Sequence, residues 1–243
     1  MDIRIYGSPA EMAEETARYV ASLIRQNPGR LLCFAAGDTP MGMLRELVRL
    51  QEKGQCDLGT MYYAGLDEWV GLGYEHRGSC AQVMKDTFYV PAGIPPEHMR
   101  IFDGLAPDTG AECRRMEEWI EGQDGIFLTV LGVGMNGHVG FNEPFAPDTR
   151  GCFTIALDDT TRTVSRKYFG EDLPVTTGIT IGWRTLLEAE RMVVMASGSS
   201  KAPIVARAFA REPSAAVPAS LLKEHGCLRL ALDKEAAAKL GGD

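Results

Sequence analysis

Six short runs rich in apolar residues punctuate this 243-residue chain: Ile3–Tyr6, Leu31–Ala35, Met61–Leu66, Ile126–Leu131, Arg191–Ala196 and Leu228–Leu232. Between them lie longer segments whose apolar residues recur at helical spacing. In Glu11–Arg25 they fall on Met12, Ala17, Val20, Ala21 and Ile24, and in Met41–Glu52 on Met43, Leu44, Leu47 and Val48. Ser79–Phe88, Ala111–Ile120, Trp183–Glu190 and Ser200–Arg211 are further candidate helices. Strands that alternate with helices pair in parallel, because each return to the sheet needs a crossover. Continuous apolar strands fit a sheet covered on both faces. The expectation is an α/β fold: an open, mostly parallel sheet flanked by helices on both faces, a Rossmann-like three-layer sandwich, in a single domain spanning 1–243. The stretch Glu143–Thr163 is the least regular, with a candidate strand at Phe153–Leu157. The segment 144–175 reads as a candidate lid.

In such a sheet, ligands bind beyond the carboxyl ends of the strands. Four strand ends carry suitable chemistry. Ala35-Ala36-Gly37-Asp38-Thr39-Pro40 opens a helix whose first amides suit an anion, with Pro40 in an early helical position. It lacks the Gly-Lys-Ser/Thr of a phosphate-binding P-loop. Leu66-Asp67-Glu68-Trp69 places adjacent acids on opposite sides of the chain, so one can face a ligand while the other braces a loop. Asp67 is the candidate base for a proton beside a carbonyl. Gly132-Val133-Gly134-Met135-Asn136-Gly137-His138 runs on to Phe141-Asn142-Glu143-Pro144. There His138 is the candidate proton shuttle, Glu143 its charge partner, and Asn136 a residue that cannot titrate. Ala196-Ser197-Gly198-Ser199-Ser200-Lys201 puts a lysine at a helix start, which is unfavourable unless an anion is bound. Each motif has an ordinary structural reading as a cap or turn; together they suggest a phosphorylated small molecule undergoing proton transfer.

The net charge of −8 argues against a nucleic-acid partner on electrostatic grounds, yet it leaves room for one locally held phosphate. The six cysteines are scattered without CxxC pairs, which predicts reduced thiols. No HExxH spacing or Cys/His cluster suggests a metal site. No apolar run approaches the ~20 residues that span a bilayer, and Met1–Ile5 lacks a signal-peptide core, so a cytoplasmic protein without membrane partners is expected. No G-x-S-x-G element is visible, which disfavours acyl-enzyme chemistry.

Taken together, Gly37-Asp38-Thr39-Pro40, Leu66–Leu72, Gly132–Pro144, Ser165-Arg166 with Tyr168-Phe169, Gly198 with Lys201, and Val217-Pro218-Ala219-Ser220-Leu221 resemble the glucosamine-6-phosphate deaminase (isomerase) family. The likeness runs from about Pro9 to Asp233. It implies conversion of glucosamine 6-phosphate and water to fructose 6-phosphate and ammonia, by a deaminating enzyme of hydrolase type. Asp67 would move a proton between C2 and C1 through an enolamine, His138 would open the pyranose ring, and Glu143 would tune His138. The substrate and phosphate contacts implied are Ala36, Gly37, Asp38, Thr39, Gly137, Arg166 and Lys201. No metal or organic cofactor is implied, and a monomer or small homo-oligomer is expected.

The chain departs from that pattern at two places. Asn136 stands where some members carry an Asp that completes a triad, and Asp38 stands where Gly or Ser is usual in the phosphate loop. Three rivals remain on the sequence: a galactosamine-6-phosphate deaminase giving tagatose 6-phosphate, suggested by Trp69; a 6-phosphogluconolactonase, which shares the glycine-rich turn; and a non-catalytic sugar-phosphate sensor. Against the sensor, Met1 lies almost at the first strand, with no preceding DNA-binding helices expected.

Overall fold

The computed structural model describes residues 1–169 and 173–241, apart from the side chain of Arg166. Its centre is a seven-stranded sheet in the order β1 (Asp2–Tyr6), β10 (Leu228–Asp233), β9 (Arg191–Ala196), β6 (Ile126–Gly132), β2 (Leu31–Phe34), β3 (Tyr62–Gly65), β5 (Met99–Arg100). Every pairing in it is parallel. A second sheet, absent from the sequence expectation, is antiparallel: β4 (Asp67–Trp69), β8 (Thr177–Ile181) and β7 (Cys152–Ala156). The strand expected at Phe153–Leu157 is β7, displaced by one residue.

β2 explains the layering. Leu31 and Cys33 face one side of the sheet while Leu32 and Phe34 face the other, and all four are buried. On the Leu32 side pack α1 (Pro9–Gln26), α2 (Asp38–Glu52) and α3 (Cys80–Met84), which runs on as a π-helical turn through Lys85–Tyr89. On the Leu31 side pack α4 (Thr109–Gly122), α6 (Trp183–Leu187) and α7 (Ala202–Phe209). Burying one such leucine stabilises by ~1.5–3 kcal/mol, and strands apolar on both faces double the contribution per element. α1 starts at Pro9 rather than Glu11 because Ser8 accepts from Glu11 N at 3.2 Å and Pro9 takes a position that needs no donor.

The sequence reading left α5 (Asp159–Phe169) as irregular chain. Its buried stripe is Thr161, Ser165 and Phe169, spaced by four, and two of the three are hydroxyls. A search for apolar periodicity cannot register such a helix. Within the candidate lid, 170–172 lie outside the described residues. All six cysteines are free thiols. Among the described residues no helix is long and apolar enough to cross a membrane.

The winding of the large sheet fixes where a ligand binds. From its middle, β2 leads to β3 and β5 in one direction, while β6 leads to β9 and β10 in the other. The carboxyl ends of β2 and β6 therefore flank a crevice at the switch point.

Candidate active site

A cavity of about 620 Å³ occupies that crevice. The sequence-predicted residues Ala36, Gly37, Asp38, Thr39, Asp67, His138 and Lys201 all line it. Asn136 and Glu143 stand behind His138 rather than in the lining. Gly137 is not brought to the cavity: its amide donates to Gly134 O and its carbonyl accepts from Ala219 N, so both backbone groups are engaged. Its φ of +91° and the 2.8 Å approach that a Cβ would make to Val217 Cγ1 explain why glycine is needed there. The expectation for the Arg166 side chain lies outside the described residues.

One end of the cavity is built for an anion. α2 begins at Asp38 behind Gly37, and no side chain caps it, so its first amides point outward. Two lysines reach the same end. Lys201 Nζ donates to Val133 O at 2.6 Å. Lys167, on α5, pairs with Asp38 at 2.6 Å. That contact answers how a carboxylate sits in an anion loop, because the ammonium neutralises it. Burial and the neighbouring Lys167 charge hold Lys201 below the ordinary lysine range, whereas Asp38 opposes that shift. Sequence reasoning did not single out Lys167, because the helix that carries it was not recognised.

The other end is acidic and basic together. On β4, successive side chains alternate, and the two acids part company. Glu68 is buried and accepts from the amides of Trp69, Cys80 and Ala81 at 2.8, 2.9 and 2.7 Å, so it braces the start of α3. Asp67 turns to the cavity. Burial pushes its carboxyl up to about 6, tempered by a hydrogen bond from the Cys80 thiol and by the charge of His138. Cys80 is itself pushed well above the usual thiol range by burial and the two acids, so it stays a neutral donor.

His138 packs against Gly134, where any Cβ would collide with the imidazole. Its Nδ1 faces two oxygens, Thr161 Oγ1 at 3.0 Å and Glu143 Oε2 at 3.6 Å. Glu143 can only accept, and a Thr161 hydroxyl that donates to it is left to accept from the ring, so we assign the proton to Nδ1, which leaves the Nε2 lone pair for the cavity. Burial alone would raise Glu143, but His138, Thr161 and Asn136 more than offset it and hold the carboxyl below its ordinary range. Asn136 Nδ2 donates to Glu143 Oε2 at 2.8 Å, and its Oδ1 accepts from His138 N at 3.1 Å. Thr161 is a participant the sequence reading did not single out, because its helix was not recognised. Among the described residues, no three His, Cys, Asp or Glu side chains converge to hold a metal ion.

Comparison with known proteins places this geometry. A family model described as glucosamine-6-phosphate isomerases/6-phosphogluconolactonase matches residues 8–230. The chain is 36% identical over 242 residues to a glucosamine-6-phosphate deaminase of Halothermothrix orenii, covering 99% of this chain and 100% of that one. It is 34% identical over 230 residues to one from a Thermoanaerobacter species, covering 94% and 90%. A solved monomeric glucosamine-6-phosphate deaminase superposes with a TM-score of 0.93 at 32% identity, over 98% of this chain and 100% of that one. A 6-phosphogluconolactonase from Trypanosoma brucei shares the fold, with a TM-score of 0.73 at 20% identity over 99% and 98%. By the extent of these matches, the chain belongs to the family of glucosamine-6-phosphate isomerases and 6-phosphogluconolactonases.

Proposed function

We propose that the protein deaminates glucosamine 6-phosphate, giving fructose 6-phosphate and ammonia with consumption of one water. The observation that carries this reading is a single cavity with Asp67 and His138 at one end and the α2 N-terminus with Lys167 and Lys201 at the other. The anion end would hold the 6-phosphate through the α2 amides and the two ammonium groups. With the phosphate anchored, the sugar ring lies toward the acid–base groups.

In this reading His138 Nε2 relays a proton from the C1 hydroxyl to the ring oxygen, which opens the pyranose. The Nδ1 side, backed by Thr161 and Glu143, stabilises the imidazolium formed in transit. Asp67 then takes the C2 proton as the aldehyde oxygen gains one, giving an enolamine, and returns the proton to C1 as the nitrogen loses one. The product is a 2-imine; water adds to it, and ammonia leaves as the ketone forms. Burial that raises the Asp67 carboxyl suits it to this task, since a stronger base moves the carbon-bound proton more readily. The hydrolase label expected from the sequence has no support in the relatives, which are named deaminases within a family described as glucosamine-6-phosphate isomerases/6-phosphogluconolactonase, and the step that moves the carbonyl from C1 to C2 is a proton shift that leaves the carbon skeleton unchanged.

The gluco epimer is favoured over the galacto one because the relatives above 30% identity are glucosamine-6-phosphate deaminases along almost their whole length. The monomeric relative supports a monomer here. The lactonase alternative has support only from the fold and the joint family description. The test is steady-state ammonia release from both amino-sugar phosphates, beside lactone hydrolysis of 6-phosphogluconolactone. Preference for glucosamine 6-phosphate is expected; ammonia release confined to the galacto sugar, or lactone hydrolysis alone, would overturn the reading.

A further inference from the structure

Asn136 is wedged between two carboxylates. Its Nδ2 lies 2.8 Å from Glu143 Oε2 and 3.3 Å from Asp158 Oδ1, and its Oδ1 accepts from the His138 amide. An amide offers two N–H donors and one carbonyl acceptor, and all face complementary partners here. The flipped amide would set an oxygen against two acids and an NH2 against an N–H. The two acids come from different segments: Glu143 from the turn that carries His138, and Asp158 from the residue before α5.

Asp158 also starts that helix. Its Oδ1 accepts from Thr160 N at 2.8 Å, and its carbonyl accepts from Arg162 N at 2.9 Å. The Thr160 bonds, joined by Asn136 and the His138 charge, hold its carboxyl below the ordinary range, so it carries charge at neutral pH. Three residues on, Thr161 reaches His138 Nδ1. An ordinary cap satisfies helix amides only. This one reaches the support of a histidine as well.

We propose that Asp158 is a positioning residue for His138: it fixes the Asn136 amide and sets a second negative charge, beside Glu143, on the Nδ1 side of the imidazole. The other charged groups around His138 do not replace it. Asp67 approaches from β4, on the cavity side, while Lys167 and Lys201 pair with Asp38 and the Val133 carbonyl. The arrangement also accounts for an amide at 136. A carboxylate there would lie beside both Glu143 and Asp158 and be repelled by each. The charge can sit at 136 or at 158, but not at both.

The test follows the His138 imidazole by NMR titration in the full chain without substrate. D158N keeps a good capping side chain and removes the charge. Its expected effect is a fall of about 0.5 pH unit in the His138 midpoint, since a neighbouring anion favours the imidazolium. N136D/D158N is expected to bring the midpoint back toward that of the unmodified protein. An unmoved midpoint in D158N, or a fall that N136D does not restore, overturns the proposal. A second measurement guards against a misfolded D158N: N136D alone should lower Tm more than N136D combined with D158N, and equal losses also overturn it. The consequence for catalysis rests on the ring-opening reading of His138. Because the titration needs no turnover, a protein that releases no ammonia would remove that reading and leave this one standing or falling on its own data.

Discussion

Asp38, the first residue of α2, and Lys167, on α5, close an ion pair of 2.6 Å across 129 residues of sequence. Their side chains are 67% and 51% exposed, so the pair adds little to stability and can exchange partners. It holds a lysine ready at the anion end of the cavity while cancelling an acid that would repel phosphate. Two opposite effects on affinity are therefore separable. K167Q is expected to weaken competitive inhibition by inorganic phosphate about tenfold, the scale of a charge-assisted contact. D38S is expected to strengthen it a few-fold by removing a competitor for Lys167, on the order of 1 kcal/mol. Weaker inhibition in D38S would show that Asp38 positions Lys167 more than it competes with the ligand.

Asp67 carries a cost that its substitution reveals. Its folded carboxyl titrates near 6 against 3.8 for the free group. The folded state thus binds this proton more tightly, and the resulting stabilisation is complete below the unfolded value and lost as pH rises through about 6. At pH 7 the charged Asp67 opposes folding. D67N should raise Tm at pH 7, by a stabilisation on the order of 1–2 kcal/mol, and raise it less near pH 4. The same variant should lower kcat at least ~10²-fold while phosphate-sugar binding survives. Near-normal turnover would remove Asp67 from the role of base.

The same group sets the acid side of the rate profile. A base must be deprotonated, so kcat/KM is expected to fall as pH drops through about 6, tenfold per unit below it. Replacing Cys80 by Ala removes the thiol bond that lowers Asp67, which should move this limb to higher pH. A limb near 4 would contradict the burial argument, and a limb that C80A leaves in place would contradict the role given to the thiol hydrogen bond.

Gly134 tests the seat of His138 without touching a titratable group. A methyl there collides with the imidazole, so G134A must displace the ring or the turn. The expected result is a large loss of turnover on the cyclic sugar with inhibition by inorganic phosphate within a few-fold of normal, because the anion end is built from α2, Lys167 and Lys201. Comparable losses in both measurements would mean that the whole turn, rather than the ring alone, had moved.

The layered fold and most of the strand ends were legible in the pattern of apolar runs. Continuous runs such as Leu31–Phe34 bury both faces, and that demand leaves few architectures open. It also placed Asp67 and His138 at strand ends, because an open parallel sheet gathers chemistry there. The remaining features came from contacts between distant segments. α5 was invisible because its buried face is Thr161 and Ser165, whose burial is repaid by hydrogen bonds instead of by apolar contact. With α5 came Lys167 beside Asp38, Thr161 on His138, and Asp158 on Asn136. β4 was likewise hidden, since an acid pair is a poor strand signal until β8 supplies its partner across the second sheet. Local pattern reports what a residue wants to bury; polar pairing between segments 20 to 130 residues apart depends on where the chain has already gone.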